Sequence, residues 1–346
     1  MSVSQVDLRF FYKNKIMLKI AVIGLGHLGK IHLKCIGLID QYELIGVYDQ
    51  DDKVCQKVAK EFGVLPFDNP SDLIAAADVV DIVTPTVSHF ELASQVIAAG
   101  KHLFVEKPIT HTIEQAQQLC SLANAKNIKA QVGHVERFNP AFLAIESMPM
   151  QPMFIEAHRL ALFNPRGTDV SVVLDLMIHD LDIILQLIPY KVRSVQASGV
   201  AIVSHSADIC NARLEFENGA VVNITASRLS MKNMRKLRIF QPDAYLSVDF
   251  LDKKTEVVRL HESDEDTTAN LMELDTAKGK RFIEIAMPET IPNNAIQSEL
   301  QSLANSILED KPTKVTLDDG RKALELAYWI IDEMKAHEER AKAARL

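Results

Sequence analysis

The sequence has few of the residues that mark disulfide-rich or metal-binding proteins. Its 346 residues include only four cysteines and one tryptophan. Cys35, Cys55, Cys120 and Cys210 are widely spaced, without a CxxC pair or a zinc-type spacing. We therefore expect free thiols in a cytoplasmic protein and no metal site.

Long apolar runs and clusters of one charge are also missing. No window holds 18 consecutive apolar residues, so no transmembrane helix and no membrane partner are expected. The net charge of −8 argues against nucleic-acid binding. The first 17 residues mix charges with aromatics and lack an apolar core and a cleavage site, so we interpret them as an extension and not a signal peptide. Whether Met17 is the natural start stays open.

One stretch near the start has the pattern of a nucleotide-binding loop. Leu18 to Ile23 is an apolar run typical of a strand buried on both faces. It leads into Gly24-Leu25-Gly26-His27-Leu28-Gly29, and a helical stretch follows. The three glycines permit a tight turn, a close approach of a pyrophosphate, and close helix–strand packing, in that order. Gly24 to Leu28 are therefore the predicted phosphate-binding residues, at a helix N-terminus.

Asp49 supports the dinucleotide interpretation. It stands at the end of the next predicted strand, 25 residues after Gly24, against roughly 20 in the usual spacing. A carboxylate there accepts hydrogen bonds from both ribose hydroxyls and repels a 2′-phosphate, so NAD is favoured over NADP. The alternative is that Asp49 only opens a turn.

The two halves of the chain have different strand patterns. The first half alternates strands with helices, which indicates βαβ units and a parallel sheet whose ligands bind at the carboxyl ends of the strands. From Lys191 onward strands follow one another without helices, which predicts an antiparallel sheet. The fold class is α/β, with a doubly wound Rossmann domain over 18–136. A second domain over 137–346 has the antiparallel sheet and C-terminal helices.

Lys107 lies where a nicotinamide and a substrate would meet on the parallel sheet. Its ammonium group could stabilise a developing alkoxide, although a surface lysine beside a turn proline is the alternative.

Over roughly residues 18 to 335 the sequence resembles the Gfo/Idh/MocA oxidoreductases. The motifs that carry this resemblance are the glycine loop, Thr84-Pro85-x-x-x-His89, Glu106-Lys107-Pro108 and Asp175-x-x-x-His179.

The resemblance implies a Rossmann domain followed by an α/β domain with an open antiparallel sheet. It also implies NAD(P)-linked oxidation or reduction of a sugar or cyclitol carbon. Thr84-Pro85, His89 and Glu106-Lys107 are then assigned to the cofactor site, and Lys107 also to the reacting hydroxyl.

The second stretch that carries chemistry is Val172 to Ile188. It is predicted as a helix buried nearly all round, so the ionisable groups in it are expected to have partners or a functional role. At about 100° per residue, Asp175, His179 and Asp182 fall in one narrow sector. A carboxylate at i, i+4 orients an imidazole and favours its protonated form. We therefore predict His179 as general base and Asp175 as its partner; a satisfied core histidine is the alternative.

Three arginines are candidate substrate-binding residues. Arg137, Arg159 and Arg166 carry guanidinium groups that match phosphate oxygens, and with His179 they are predicted to contact the substrate. A structural salt bridge is the alternative for Arg137, and solvated surface positions are the alternative for the other two. The stretch from Val132 to Pro140 resembles the bacterial UDP-N-acetylglucosamine 3-dehydrogenases. His134 there replaces the aromatic residue commoner in the family.

These features predict an NAD-dependent dehydrogenase acting on a sugar or sugar nucleotide. An NAD-assisted glycosidase or epimerase of the same family and a non-catalytic dinucleotide sensor are the alternatives. One face of the antiparallel sheet is expected to pack on the Val172–Ile188 helix. The other face would then pair with a second subunit, so a homodimer or homotetramer is expected. Residues 294–308 are predicted as a helix that covers the substrate cleft.

Overall fold

Five short apolar segments of the first half pair in parallel, as their composition predicts. The computed structural model describes residues 17–164, 170–262, 271–277 and 279–344. The strands of the first sheet have the order β2-β1-β3-β4-β5. They are β1 (Leu18–Ile23), β2 (Tyr42–Tyr48), β3 (Val79–Ile82), β4 (His102–Glu106) and β5 (Ala130–Gly133). The Rossmann part of the predicted fold class is confirmed.

Helices connect these strands and begin at residues suited to a helix N-terminus. Asp51 caps the second helix, and Thr112 and Gln115 form a capping box on the fifth. Residues 64–67, predicted as a strand, pair with β2 only through an isolated parallel bridge between Pro66 and Val47. The helices are α1 (His27–Ile36), α2 (Asp52–Phe62), α3 (Pro70–Ala76), α4 (His89–Ala98) and α5 (Ile113–Lys126).

The predicted helix over 172–188 has two parts. Its first turn, Val173–Met177, is a π turn, and α7 (Ile178–Leu187) follows it. The chain reaches this helix from the first sheet through a 3₁₀ turn (Val135–Phe138), α6 (Pro140–Leu143) and β6 (Phe154–Leu160).

The second sheet has nine strands in the order β13-β14-β12-β11-β10-β6-β9-β8-β7. All its pairs are antiparallel except β6 with β9, and the predicted Asn218-Gly219 turn joins β8 to β9. The two last strands were not predicted, because their exposed, charge-rich residues show no alternating pattern. The strands after β6 are β7 (Val192–Val200), β8 (Ile209–Phe216), β9 (Val221–Ser227), β10 (Met234–Phe240), β11 (Ala244–Asp249), β12 (Lys254–His261), β13 (Met272–Thr276) and β14 (Gly279–Ala286).

The two faces of this sheet differ in polarity. Inward side chains such as Ala157, Leu214 and Ile224 are wholly buried in one core with α7. The opposite face carries polar side chains, among them Glu156, His158, Asn211, Arg213, Asn223 and Thr225. The expected packing of one face on the apolar helix is therefore confirmed.

The last two helices, α8 (Ala295–Leu308) and α9 (Leu317–Ala343), return to the first domain. Leu300 and Leu303 of α8 are buried in the core formed by β1, α1 and α2, and the Tyr42 hydroxyl donates to the Leu300 carbonyl at 2.9 Å. Helix α9 contributes side chains to the cores of both domains. Helix α8 thus packs on the Rossmann domain and not over the substrate cleft as predicted. Both C-terminal helices contact the first domain although they follow the predicted boundary at residue 136.

Two expectations concern the ends of the chain and the membrane. The predicted extension, residues 1–17, lies outside the described residues except for Met17. Within the described ranges, none of the helices combines the length and apolar character that crossing a bilayer needs.

Candidate active site

The loop between β1 and α1 has the geometry of a phosphate cradle. Gly24 has φ +97°, and a Cβ there would come within 2.7 Å of the Val83 backbone. A Cβ at Gly29 would collide with the carbonyl oxygen of Gly24, so only glycine lets α1 pack directly on the turn. At Gly26 an added Cβ would meet no atom of the described chain within 4 Å. The space beside Gly26 is therefore open to a ligand.

Asp49 lies next to this loop at the end of β2. Its Oδ2 accepts the N–H of Leu25 at 2.8 Å, and its Oδ1 accepts the N–H of Asp51 at 3.0 Å. Each carboxylate oxygen keeps a second lone pair for a ribose hydroxyl. The Leu25 side chain is buried, so only its backbone faces the loop, whereas His27 and Leu28 are exposed.

The N-terminus of α1 is suited to an anion. Within the described residues it has no side-chain cap and no acidic residue in its first turn. The N–H groups of a first helical turn lack intrahelical partners and carry a partial positive charge. Together with the open space at Gly26, these features fit the pyrophosphate of a dinucleotide.

His89 ties the ends of β3 and β4 together. Its two ring nitrogens lie 2.9 Å from the carbonyl oxygens of Thr84 and Pro108. Burial lowers the pKa of His89, and the hydrogen bonds to these two carbonyls oppose that effect. The ring is 1% exposed. Its position corrects the predicted direct cofactor contact to support of the Thr84-Pro85 and Lys107-Pro108 loops.

Lys107 reaches from the end of β4 to the second domain. Its Nζ donates to the backbone carbonyl oxygen of Asp175 at 2.7 Å and lies 3.9 Å from the Asp175 carboxylate. Burial lowers the pKa of Lys107, and the negative charges of Asp175 and Glu106 oppose that effect. The predicted lysine and the predicted helix, which are 68 residues apart in sequence, therefore meet.

His179 is half-buried in the first turn of α7. Its Nδ1 is buried and has no hydrogen-bond partner among the described residues. Burial, followed by the positive charges of Lys107 and Arg159, holds the pKa of His179 well below its usual value. The ring is thus a neutral group that can accept a proton.

The predicted pairing of Asp175 with His179 is not formed. In the described chain no hydrogen bond or ion pair joins them, and the Asp175 carboxylate faces Lys107 instead. The reason is the π turn over 173–177, whose i→i+5 bonds break the rotation of about 100° per residue on which the prediction rested. The expectation that Asp175 favours the protonated ring has no contact to support it, and burial lowers the pKa of His179 instead.

Arg137 is buried in an ion pair. It donates to both carboxylate oxygens of Asp182, at 2.6 and 2.8 Å, and its side chain is 4% exposed. The structure therefore favours the alternative of a structural salt bridge over the predicted substrate contact.

Arg159 is also buried, and it has two acidic partners. It donates to the two oxygens of Asp180 at 2.9 and 2.7 Å and to Glu136 at 2.9 Å. This position corrects both the predicted substrate contact and the alternative of a surface arginine. Arg166, the third candidate, lies outside the described residues.

Arg235 is a site residue that the sequence analysis missed. It stands opposite Arg159 in the β6–β10 pair, so both side chains lie on one face of the sheet. Its side chain is 49% exposed and lies 3.6 Å from Glu136. Its charge contributes to the lowered pKa of His179. The alternation of β10, in which Leu237 and Ile239 are buried on this same face, was the signal that could have identified it.

Other missed residues are buried and ionisable. His134, at the end of β5, is 1% exposed, and both its ring nitrogens lack partners in the part of the chain described. A cluster of His32, Asp81 and Glu299 lies behind Glu106. Asp81 was detectable, since an acid inside a strand buried on both faces needs a partner.

Two sequence models of protein domains match the chain. The model described as the oxidoreductase family, NAD-binding Rossmann fold, matches residues 18–134. The model described as the GFO/IDH/MocA C-terminal domain matches residues 155–246. The first range contains the parallel sheet, the glycine loop and Lys107. The second range contains Asp175, whose carbonyl oxygen Lys107 contacts.

Characterised relatives and a solved structure are similar over most of the chain. UDP-N-acetylglucosamine 3-dehydrogenase of Acidithiobacillus ferrooxidans is 34% identical over 91% of this chain and 96% of its own. The scyllo-inositol 2-dehydrogenase (NAD(+)) of Bacillus subtilis is 28% identical over 61% of this chain and 67% of its own. A solved structure of UDP-N-acetylglucosamine 3-dehydrogenase from A. ferrooxidans has a TM-score of 0.83 and 32% identity, covering 93% of this chain and 99% of that one.

We expect Gly26→Ala to weaken NAD binding at least about tenfold while thermal unfolding stays unchanged, because the methyl group enters the open space of the cradle. Gly37→Ala, at the other end of α1, is the matched control, since its Cβ would only make ordinary contacts at 3.6 Å. Calorimetric titration with NAD measures both affinities. Equal NAD affinities of the two variants would contradict the predicted phosphate site.

We expect the His179 ring to titrate below its ordinary pKa of about 6.5, and Lys107→Met to raise that pKa by removing a neighbouring positive charge. NMR of isotope-labelled histidine follows the ring directly. Because the folded pKa is the lower one, His179 costs stability as the pH falls below about 6.5. Lys322→Met, on the exposed side of α9, is the control and should leave the pKa of His179 unchanged. A wild-type His179 pKa at or above about 6.5 would contradict the lowered pKa.

Proposed function

The chain belongs to the Gfo/Idh/MocA family of oxidoreductases, and on that premise we propose that it oxidises a secondary hydroxyl of a sugar nucleotide. The observation that carries the proposal is the 2.7 Å contact of Lys107 Nζ with the Asp175 carbonyl. This contact joins the edge of the parallel sheet, where the glycine loop also ends, to the helix that carries His179. A hydrogen-bond donor and a proton acceptor therefore share one site.

The cofactor is NAD. When bound, it supplies an acceptor for the hydride that leaves the carbinol carbon. The open space at Gly26 and the free N-terminus of α1 fit its pyrophosphate, and the Asp49 carboxylate fits its ribose hydroxyls.

Three residues of the chain carry the proposed proton chemistry. Lys107 keeps two ammonium hydrogens beyond the one given to Asp175, and it donates one to the substrate oxygen, where negative charge develops. His179, neutral before the reaction, takes the hydroxyl proton. Asp175 holds the ammonium group through its carbonyl oxygen, a role that replaces the predicted orientation of His179.

The reaction class is tested by incubating the protein with NAD and a panel of nucleotide sugars, cyclitols and free hexoses. Net formation of NADH, followed by absorbance, supports the proposal. Turnover without net NADH would indicate an NAD-assisted glycosidase or epimerase, in which a transient ketone is reduced again. NAD binding without turnover of any compound would indicate a dinucleotide sensor.

We expect Lys107→Met and His179→Gln each to lower kcat by about 10²- to 10⁴-fold, the usual range for a lost proton-transfer or oxyanion-stabilising group. His158→Gln is the matched control, because His158 lies on the opposite face of the second sheet. Initial rates of NADH formation measure all three variants. Unchanged rates for Lys107→Met and His179→Gln would remove both residues from the mechanism.

For the substrate we propose UDP-N-acetylglucosamine, oxidised at its 3-hydroxyl, because a relative named for that reaction is 34% identical over nearly the full chain. Arg235 supports a substrate with a diphosphate. Its guanidinium group is half-exposed beside the site. Its ion pair with a described residue is a 3.6 Å contact with Glu136, which itself pairs at 2.9 Å with Arg159. A planar guanidinium fork matches phosphate oxygens.

We expect Arg235→Ala to raise KM for UDP-N-acetylglucosamine about tenfold, with a smaller change in kcat, because binding of the diphosphate is remote from the reacting carbon. Arg238→Ala on the same strand is the matched control, since Arg238 lies on the other face and contacts Glu156. Steady-state kinetics at saturating NAD separate the two parameters. Equal KM values for both variants would contradict a role for Arg235.

We further propose a homodimer or homotetramer that pairs the polar face of the second sheet, and a cytoplasmic location. The first rests on the width of that nine-stranded face. The second rests on the free thiols Cys35, Cys55, Cys120 and Cys210. Light scattering that gave a monomer at micromolar concentration would exclude the oligomer.

A further inference from the structure

Four ionisable side chains are packed together behind Lys107, away from solvent. His32 of α1, Asp81 of β3 and Glu299 of α8 are 0% exposed, and Glu106 of β4 is 8% exposed. His32 Nδ1 lies 2.9 Å from Asp81 and its Nε2 lies 3.2 Å from Glu106. One polar atom each of His32, Glu106 and Glu299 lie within 4.8 Å of one another. The cluster therefore joins three strands or helices of the Rossmann domain to a C-terminal helix.

The hydrogen bonds of this cluster leave one acid over. A protonated His32 ring donates to Asp81 through Nδ1 and brings its positive charge 3.2 Å from Glu106, although Nε2 makes no hydrogen bond with the described residues. Both carboxyl oxygens of Glu299 are buried and lack a partner among the described residues. Two ionised carboxylates at this distance in a buried site repel strongly, whereas one proton between them removes the repulsion and supplies a donor.

The backbone makes room for this arrangement. A Cβ at Gly133 of β5 would lie 2.7 Å from Glu106 Oε1, so glycine lets the carboxylate lie flat against the neighbouring strand. Gln131, two residues earlier on β5, donates its side-chain amide to the Glu299 backbone carbonyl at 2.6 Å. Strand β5 thus leaves space for the Glu106 carboxylate and holds the backbone of Glu299, and Glu106 Oε2 accepts the backbone N–H of Lys107 at 3.1 Å.

We propose that Glu106 and Glu299 share one proton, held mainly by Glu299, and that Glu299 is thereby a positioning residue for Glu106 and the Lys107 loop. The part that concerns Lys107 rests on the function proposed above. With one shared proton a single negative charge remains on the pair, and it faces Lys107 from behind. A second negative charge, on Glu299, would also attract the Lys107 ammonium group and compete with the substrate oxygen for it.

The titration behaviour agrees with the geometry. Burial, followed by the charge of Glu106, raises the pKa of Glu299 well above its usual value. Burial opposes protonation of His32, but Asp81 and Glu106 raise its pKa well above the usual range. The charged or titratable groups that face Glu299 are His32 and Cys35 from α1, Asp81 from β3 and Glu106 from β4.

The proton is tested by the pH dependence of thermal unfolding in wild type, Glu299→Gln and the exposed control Glu91→Gln on α4. Wild type must keep a proton that the unfolded chain releases above about pH 4.5, so its stability falls as the pH rises towards the raised pKa. We expect the Tm of Glu299→Gln relative to wild type to rise as the pH is raised above about 5, the range in which the unfolded chain has released this proton. Glu91→Gln should follow wild type. A constant or falling difference between Glu299→Gln and wild type would overturn the shared proton.

A second measurement uses the wild-type protein alone, so it does not depend on whether a variant folds. The infrared carbonyl band of a protonated carboxylic acid should persist in wild type at about pH 7, where exposed carboxyl groups are ionised. Its absence would overturn the proposal. So would a fall in wild-type Tm on adding a chelator, because it would show that a cation and not a proton joins His32, Glu106 and Glu299.

The positioning role is tested by rescue. Glu299→Ala should lower kcat about tenfold, the rate equivalent of one lost hydrogen bond to a charged group, with little change in KM. Glu299→Gln should restore most of kcat, because an amide is neutral and can donate like the protonated acid. Equal losses in both variants would overturn the positioning role. If no compound is oxidised, the unfolding and infrared measurements still decide the shared proton, so the two proposals fail separately.

Discussion

The candidate site depends on one contact between domains, from the Lys107 ammonium group to the carbonyl oxygen of Asp175. Lys107 directly follows a parallel strand, and Asp175 lies in the π turn that begins the buried helix of the other domain. π turns widen the helix locally and are frequent at functional sites. Here the turn presents both the carbonyl and the carboxylate of Asp175 to the lysine, so the position of the ammonium group is set from the second domain.

Two buried arginines fix the helix that follows this turn. Arg137, from the crossing between domains, holds Asp182, and Arg159, from β6, holds Asp180. Removing one member of such a pair leaves an uncompensated buried charge, at a cost of about 3–5 kcal/mol. The pairs therefore restrict sliding and rotation of α7, and with it the position of His179 relative to Lys107.

The sequence predicted the parts of the site that rest on local pattern, and it failed where packing decides. The glycine loop and Asp49 follow from a strand–turn–helix pattern, so their place was predictable. The partner of Asp175 was not, because a π turn has no sequence signature in an apolar run. Arg159 looked like a surface arginine, since a single sequence does not show that Asp180 is within reach. Glu299 was hidden in an ordinary amphipathic helix, and only its packing on β4 and β5 shows that it is buried.

The distribution of acids around His179 bears on how a weak base could work in the proposed reaction. The three acids nearest to it in sequence, Asp175, Asp180 and Asp182, are taken by Lys107, Arg159 and Arg137. Among the described residues the ring has no acid partner, and burial together with nearby positive charge lowers its pKa, which makes it a poorer base. The same positive charge acts on the substrate. A hydroxyl bound to Lys107 becomes more acidic as its carbon loses hydride. The same positive charge therefore weakens His179 as a base and strengthens the substrate hydroxyl as a proton donor.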